Sequence, residues 1–121
     1  MNPIKTEQRR PGAFIVNEVG TISRATVTVT GGHFMAGQVL GKIENSGCFT
    51  AFDPNASDGS KKPCGILYAQ VDASTADQAA TAIVRLVEVA GSELTWPDDI
   101  SDAAKNLAIA TLADAHMIIV R

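Results

Sequence analysis

Residues 21–30 alternate with period two: Ile22, Ala25, Val27 and Val29 are set mostly against Ser23, Thr26, Thr28 and Thr30, a β-branched run that predicts a strand. Gly31-Gly32 ends it in a turn. Residues 39–44 and 48–52 are two more apolar stretches divided by Asn45-Ser46-Gly47, which predicts a hairpin. Two prolines, Asn55, Ser57, Asp58, Gly59, Ser60 and two lysines then crowd into residues 53–63, an exposed polar loop. Residues 64–72 resume as an apolar strand. Between 76 and 91 the signals conflict, because Ala79, Ala80 and Ala82 favour helix while Thr81, Ile83, Val84, Val87 and Val89 favour strand. The Val87-Glu88-Val89 alternation decides for strand in the second half, and a helix over 76–86 stays open. The clearest helix follows: Ala104, Leu107, Ala108, Thr111, Leu112 and Ala115 recur on one face, ending near Asp114. Asp98, Asp99 and Asp102 suit its positive N-terminus, with Ser101 or Asp99 as N-cap. Residues 117–120 close the chain as a strand.

The expected class is therefore mainly β with one short C-terminal helix, in a single domain with long loops. A length of 121 residues, 45% apolar and 19% charged, fits one globular core. No apolar run approaches the roughly 20 residues that a bilayer-crossing helix needs. Residues 1–10 are polar where a secretory signal needs an apolar stretch, so synthesis in a cytoplasm is expected.

Charge is uneven along the chain. Lys5, Arg9 and Arg10 against Glu7 give residues 1–10 a charge of +2, leaving −5 on the rest of a chain whose net charge is −3. That basic excess is too small to neutralise several phosphates, and the acidic body repels them, which argues against nucleic acid as a partner. Residues 1–12 hold two prolines and four charges, and are expected to form a flexible arm. Phe14, Ile15, Val16 and Val19 then anchor it as an extended segment or short strand, dividing the chain into an arm over 1–19 and a body over 20–121.

Chemistry-bearing motifs are incomplete. Residues 32–39 have the glycine spacing of a phosphate loop, but Gln38 and Val39 stand where lysine and a hydroxyl are needed. Residues 53–59 resemble a calcium loop whose glycine falls one place late and whose twelfth position is Cys64 instead of glutamate. His33, Cys48, Cys64 and His116 are zinc-type ligands without ligand spacing. The two cysteines, expected as small buried thiols, make no disulfide framework, and His116 is expected to be a packed structural residue. Asp72 and Glu88 are the carboxylates nearest to apolar strands, and strand alternation turns such positions to solvent. Neither catalysis nor a cofactor is expected. Residues 36–44 also resemble the strand of lipoyl or biotinyl carrier domains, but Asn45-Ser46-Gly47-Cys48 supplies no lysine at the hairpin tip.

The order of features from Ala36 carries a closer resemblance. Ala36-Gly37-Gln38-Val39-Leu40-Gly41-Lys42-Ile43 leads to a loop with Asp58-Gly59, then Gly65-Ile66-Leu67, Leu94-Thr95-Trp96-Pro97, a helix and Ile118-Ile119-Val120. This ordered set resembles the lambda-type head decoration proteins of tailed bacteriophages over about residues 20–121. The resemblance implies a compact, β-clip-like fold and a homotrimer on the outer surface of the virion head. Its partners would be the major capsid protein and itself, seated at local threefold positions and resisting internal DNA pressure. It also implies that the N-terminal segment meets the coat protein, with Ile4, Phe14, Ile15, Val16 and Val19 as docking candidates. Trp96 and Pro97 are the candidates for the trimer contact.

Overall fold

A computed structural model describes residues 11–18 and 22–121. Its strands are β1 (Ile15–Glu18), β2 (Arg24–Val29), β3 (His33–Phe34), β4 (Val39–Lys42) and β5 (Phe49–Ala51). They continue with β6 (Pro63–Leu67), β7 (Val71–Asp72), β8 (Gln78–Ile83), β9 (Val87–Val89) and β10 (Ile118–Val120). The helix α1 (Asp102–His116) precedes the last strand. The chain is thus mainly β with one C-terminal helix, as its patterning predicts.

Five strands close into a barrel in the order β2-β5-β4-β6-β8. Closure depends on β2, which pairs antiparallel with β8 from Arg24↔Ile83 to Val29↔Gln78 and touches β5 in parallel at Val29↔Phe49. A second sheet has the order β1-β9-β10, antiparallel on one side of β9 and parallel on the other. The predicted hairpin is β4-β5, with Leu40 opposite Ala51.

Strand alternation sends neighbouring residues into two cores. Val29, Leu40, Leu67 and Ala82 fill one, from the barrel strands, together with Ala73. Their neighbours Val39, Ile66 and Ile83 face the other, which α1 and the second sheet complete with Leu112, Val87, Val89 and Ile118. Each such Val, Leu or Ile contributes roughly 1.5–3 kcal/mol by leaving water.

Several local expectations change. At the entry to β2 it is Ser23 that is buried, while Ile22 is 55% exposed, so the inward set is Ser23, Ala25, Val27 and Val29. Ser23 tolerates burial because its hydroxyl donates to Glu18. The strand expected over 64–72 divides into β6 and β7 around residues 68–70. The helix left open over 76–86 does not form: β8 lies between β2 and β6 and satisfies its backbone in the sheet. Helix α1 begins as expected, with Ser101 Oγ accepting from Ala104 N at 3.1 Å. It runs to His116, past the predicted end, and Met117 terminates it in the left-handed region at φ 55°.

The loop between β5 and β6 is exposed at its tip but fastened at both sides. Asp53 N donates to Ser60 O at 3.1 Å, and Glu44 N to Asp58 O at 2.9 Å. Gly41 makes room for it, since a Cβ there would lie 2.7 Å from Ser60 Cα.

Candidate docking surfaces

The chain is bound to its body from Gly12 onward. Gly12 N donates to Tyr68 O at 2.8 Å with φ +68°, and a Cβ at this residue would sit 2.7 Å from Tyr68 Cε1. Ala90 N donates to Phe14 O at 2.8 Å, which leads β1 onto β9. The Phe14 ring is fully buried in the core and Ile15 packs against it, so these two side chains hold their own domain together. Val16 points the other way and is 56% exposed. Ile4 and Val19 lie outside the described residues, as does most of the expected arm.

At the far end of β1, Arg24 Nε donates to Glu18 Oε2 at 2.8 Å and its Nη2 to Oε1 at 3.0 Å. The Arg24 bonds hold the Glu18 carboxyl below its usual range, and the Ser23 hydroxyl assists. The same guanidinium lies 4.3 Å from the centre of the Tyr68 ring.

Trp96 sits at a half-buried corner. Its ring meets Phe52 edge-on at 6.3 Å, and Lys105 Nζ stands 5.4 Å from its centre. The segment is fixed by Val39 N donating to Thr95 O at 3.2 Å and Thr95 N to Gly37 O at 2.9 Å. The indole N–H is buried without a hydrogen-bond partner among the described residues. Pro97 is also half-buried, and Asp98 and Asp99 beside it are exposed.

A surface that patterning misassigns lies along α1. Leu107, expected in the core stripe, is 70% exposed. It borders an open groove of about 710 Å³ between α1 and the β5–β6 loop, with Lys42, Lys61 and Lys62 on its lining. Lys61 and Lys62 are legible in the sequence as part of an exposed loop, but neither the exposure of Leu107 nor the juxtaposition of loop and helix is.

The carboxylates singled out above are each occupied locally. Asp72 accepts from Ser74 N at 3.1 Å and from its hydroxyl at 2.5 Å, bonds that keep its acid form below the usual range. Glu88, on β9, is paired with Arg121, which follows the neighbouring strand β10 of the same sheet. Cys64 and His116 line the same groove, but among the described residues no group of three or more His, Cys, Asp or Glu could hold a metal ion. Both cysteines are half-buried and free, and burial lowers the His116 pKa. The β4-β5 hairpin turns at Asn45-Ser46-Gly47. No described helix is long and apolar enough to cross a membrane.

Fold and surface together define a small β-barrel domain with a helical flank, whose distinctive features are exposed faces. A family model described as bacteriophage lambda head decoration protein D matches residues 4–117, and the chain belongs to that family. The family is structural, and membership associates the chain with the capsid of the virion. Comparison with curated proteins gives no match.

Proposed function

We propose that this chain decorates the outside of a tailed-phage head as a homotrimer at local threefold positions, bound to the major capsid protein, and reinforces the shell against the pressure of packaged DNA. It acts by binding, with no catalytic step. Family membership across residues 4–117 is the observation that carries this reading. The N-terminal segment through Val19 serves as the docking element. Ile4, Val16 and Val19 offer apolar contacts to the coat protein, and Phe14 and Ile15 tie that segment to the body. Extended segments of this kind commonly bind by adding a strand to a sheet edge.

Three weak arms on one trimer give a strong attachment. Once one arm docks, the others bind intramolecularly, and avidity rises by about 10²-fold or more without new kinds of contact. Trp96 and Pro97 belong to the subunit contact in this arrangement.

The test combines light scattering of the purified protein with sedimentation of heads that lack it. Full-length chain is expected to scatter as a trimer and to co-sediment with heads. A chain shortened by residues 1–13, which keeps the buried Phe14, is expected to stay trimeric and to bind at least tenfold more weakly. A monomer that ignores heads would overturn the proposal.

A further inference from the structure

The apolar stripe of α1 separates into two faces. Ala108 and Leu112 are buried in the domain's own core. Ala104, Leu107, Thr111 and Ala115 follow a stripe rotated away from them and line the open groove of about 710 Å³. Leu107 is the most exposed large apolar side chain among the described residues, at 70%. Across from it the buried Phe52 and the prolines Pro54 and Pro63 continue the apolar lining. A neighbouring groove of about 620 Å³ shares Lys42, Cys64, Ala115 and His116 with the first and adds Phe49 and Met117. The two make one elongated trough.

Its charge runs against that of the chain. The net charge is −3, yet Lys42, Lys61 and Lys62 line the first groove and no described carboxylate does. Among the described residues the ion pairs are Arg24–Glu18 and Arg121–Glu88, so these lysines enter none of them. An apolar trough with unpaired cations at its rim is complementary to a molecule that is apolar along its length and anionic at one end.

The walls decide between a peptide and an alkyl chain. A bound peptide has to satisfy its own N–H and C=O groups, ordinarily on a free strand edge. Helix α1 bonds its backbone internally, and β6, which packs against it, lies between β4 and β8 in the closed barrel. Neither wall offers an edge. An alkyl chain has no such groups to satisfy.

We infer that the groove is a binding site for a free anionic amphiphile, a medium-chain carboxylate whose chain lies against Leu107 and Phe52 and whose head is held by the lysines. The volume falls within the range of small-molecule sites, about 300–1,000 Å³. The site goes beyond the decoration reading and does not rest on it.

The experiment is isothermal titration calorimetry of the full-length protein with decanoate below its micelle concentration, with light scattering followed alongside. Decanoate is expected to saturate at one per chain. Octanoate, two methylenes shorter, should bind about 15-fold more weakly, since each buried methylene tightens binding about fourfold. Decyltrimethylammonium has the same chain and the opposite charge, and should bind at least tenfold more weakly although the protein as a whole is acidic. Lys61→Glu/Lys62→Glu and Leu107→Asp should each weaken decanoate at least tenfold. These substitutions fall on exposed side chains, and circular dichroism checks that each variant folds. Emission of the sole tryptophan, Trp96, edge-on to Phe52 at 6.3 Å, gives a second reading of occupancy.

Equal affinity for the two decyl amphiphiles, or decanoate binding by both variants within twofold of the parent, would overturn the inference, as would a titration without saturable binding. Scattering that falls in step with decanoate uptake would also overturn it, by showing the groove to be covered in the assembled protein. A parent that binds decanoate as expected but ignores heads would support the site and count only against the decoration reading.

Discussion

Arg24 reaches back from β2 to Glu18 at the end of β1 and binds both carboxylate oxygens, at 2.8 and 3.0 Å. One bidentate pair therefore fastens the barrel to the strand that leads out toward the N-terminus. Because the folded carboxyl titrates below its ordinary 4.5, the unfolded chain binds its proton first as the solution is acidified. The stability it contributes is complete above pH 4.5 and is lost as pH falls through the lower folded value. Glu18→Gln should lower the urea midpoint at pH 7 and flatten its fall between pH 5 and pH 3, about the range over which such linkage acts. Parallel acid limbs in parent and variant would show that the pair contributes nothing to folding.

Two leucines five residues apart on α1 are predicted to behave oppositely. Leu112 is fully buried and Leu107 is 70% exposed. Leu112→Ala should cost about 2–5 kcal/mol, the range for deleting a packed core side chain. Leu107→Ala should stay within about 0.5 kcal/mol when measured on monomer at low concentration, as exposed substitutions do. Chemical denaturation followed by circular dichroism separates the two.

The same pair shows what patterning conveys and what it leaves out. Helical periodicity places Leu107 and Leu112 on one apolar face and says nothing about how much of that face the domain covers. The cap at Ser101, the β4-β5 hairpin and the terminal strand rest on local chemistry, and each forms as the residues imply. Barrel closure does not, because the parallel contact of Val29 with Phe49 joins strands twenty residues apart and leaves no periodic trace. Ser23 misleads for a related reason: its burial depends on Glu18, a partner five residues back on another strand. For the surfaces, the sequence exposes Trp96, the lysines and the aspartates as residue types, whereas the groove exists only once loop and helix are packed.

Cys64 lines the groove, and burial pushes its thiol up to about 11 from an ordinary value of 9.0, with a small opposing effect from Lys42. A raised thiol pKa favours folding below pH 9 and loses that contribution as pH climbs through 11. Since the thiolate is the reactive form, iodoacetamide at about pH 8 should modify Cys64 slowly in the folded chain and rapidly in urea. Peptide mass spectrometry reports both states. Rapid labelling of folded Cys64 would mean that water and base reach it freely.

Gly41 lies in β4 against the returning loop, where a Cβ would come within 2.7 Å of Ser60 Cα and 2.8 Å of Ser60 C. Both contacts are backbone, so no side-chain rotation relieves them. Gly41→Ala must either displace the loop, breaking bonds such as Asp53 N to Ser60 O, or strain the strand. Overpacking of this kind costs typically about 1–3 kcal/mol. Thermal melts should show that loss, and hydrogen exchange should show the Asp53 and Glu44 amides opening first.

Trp96 carries a cost that its size conceals. Its ring packs on Phe52 and under Lys105, but the buried indole N–H has no hydrogen-bond partner among the described residues. Leaving such a donor unsatisfied costs about 1–3 kcal/mol, which is set against the apolar area the ring buries. Trp96→Phe removes the donor along with part of that area, so the two changes oppose each other and the net effect on stability should fall within about 1 kcal/mol. Trp96→Ala gives up the whole contact and should destabilise the fold by at least about 2 kcal/mol, less than the upper range for a fully buried aromatic. Urea denaturation of the two variants reads the difference. A phenylalanine variant as unstable as the alanine one would mean that the indole N–H is satisfied in solution, by water or by a neighbouring subunit.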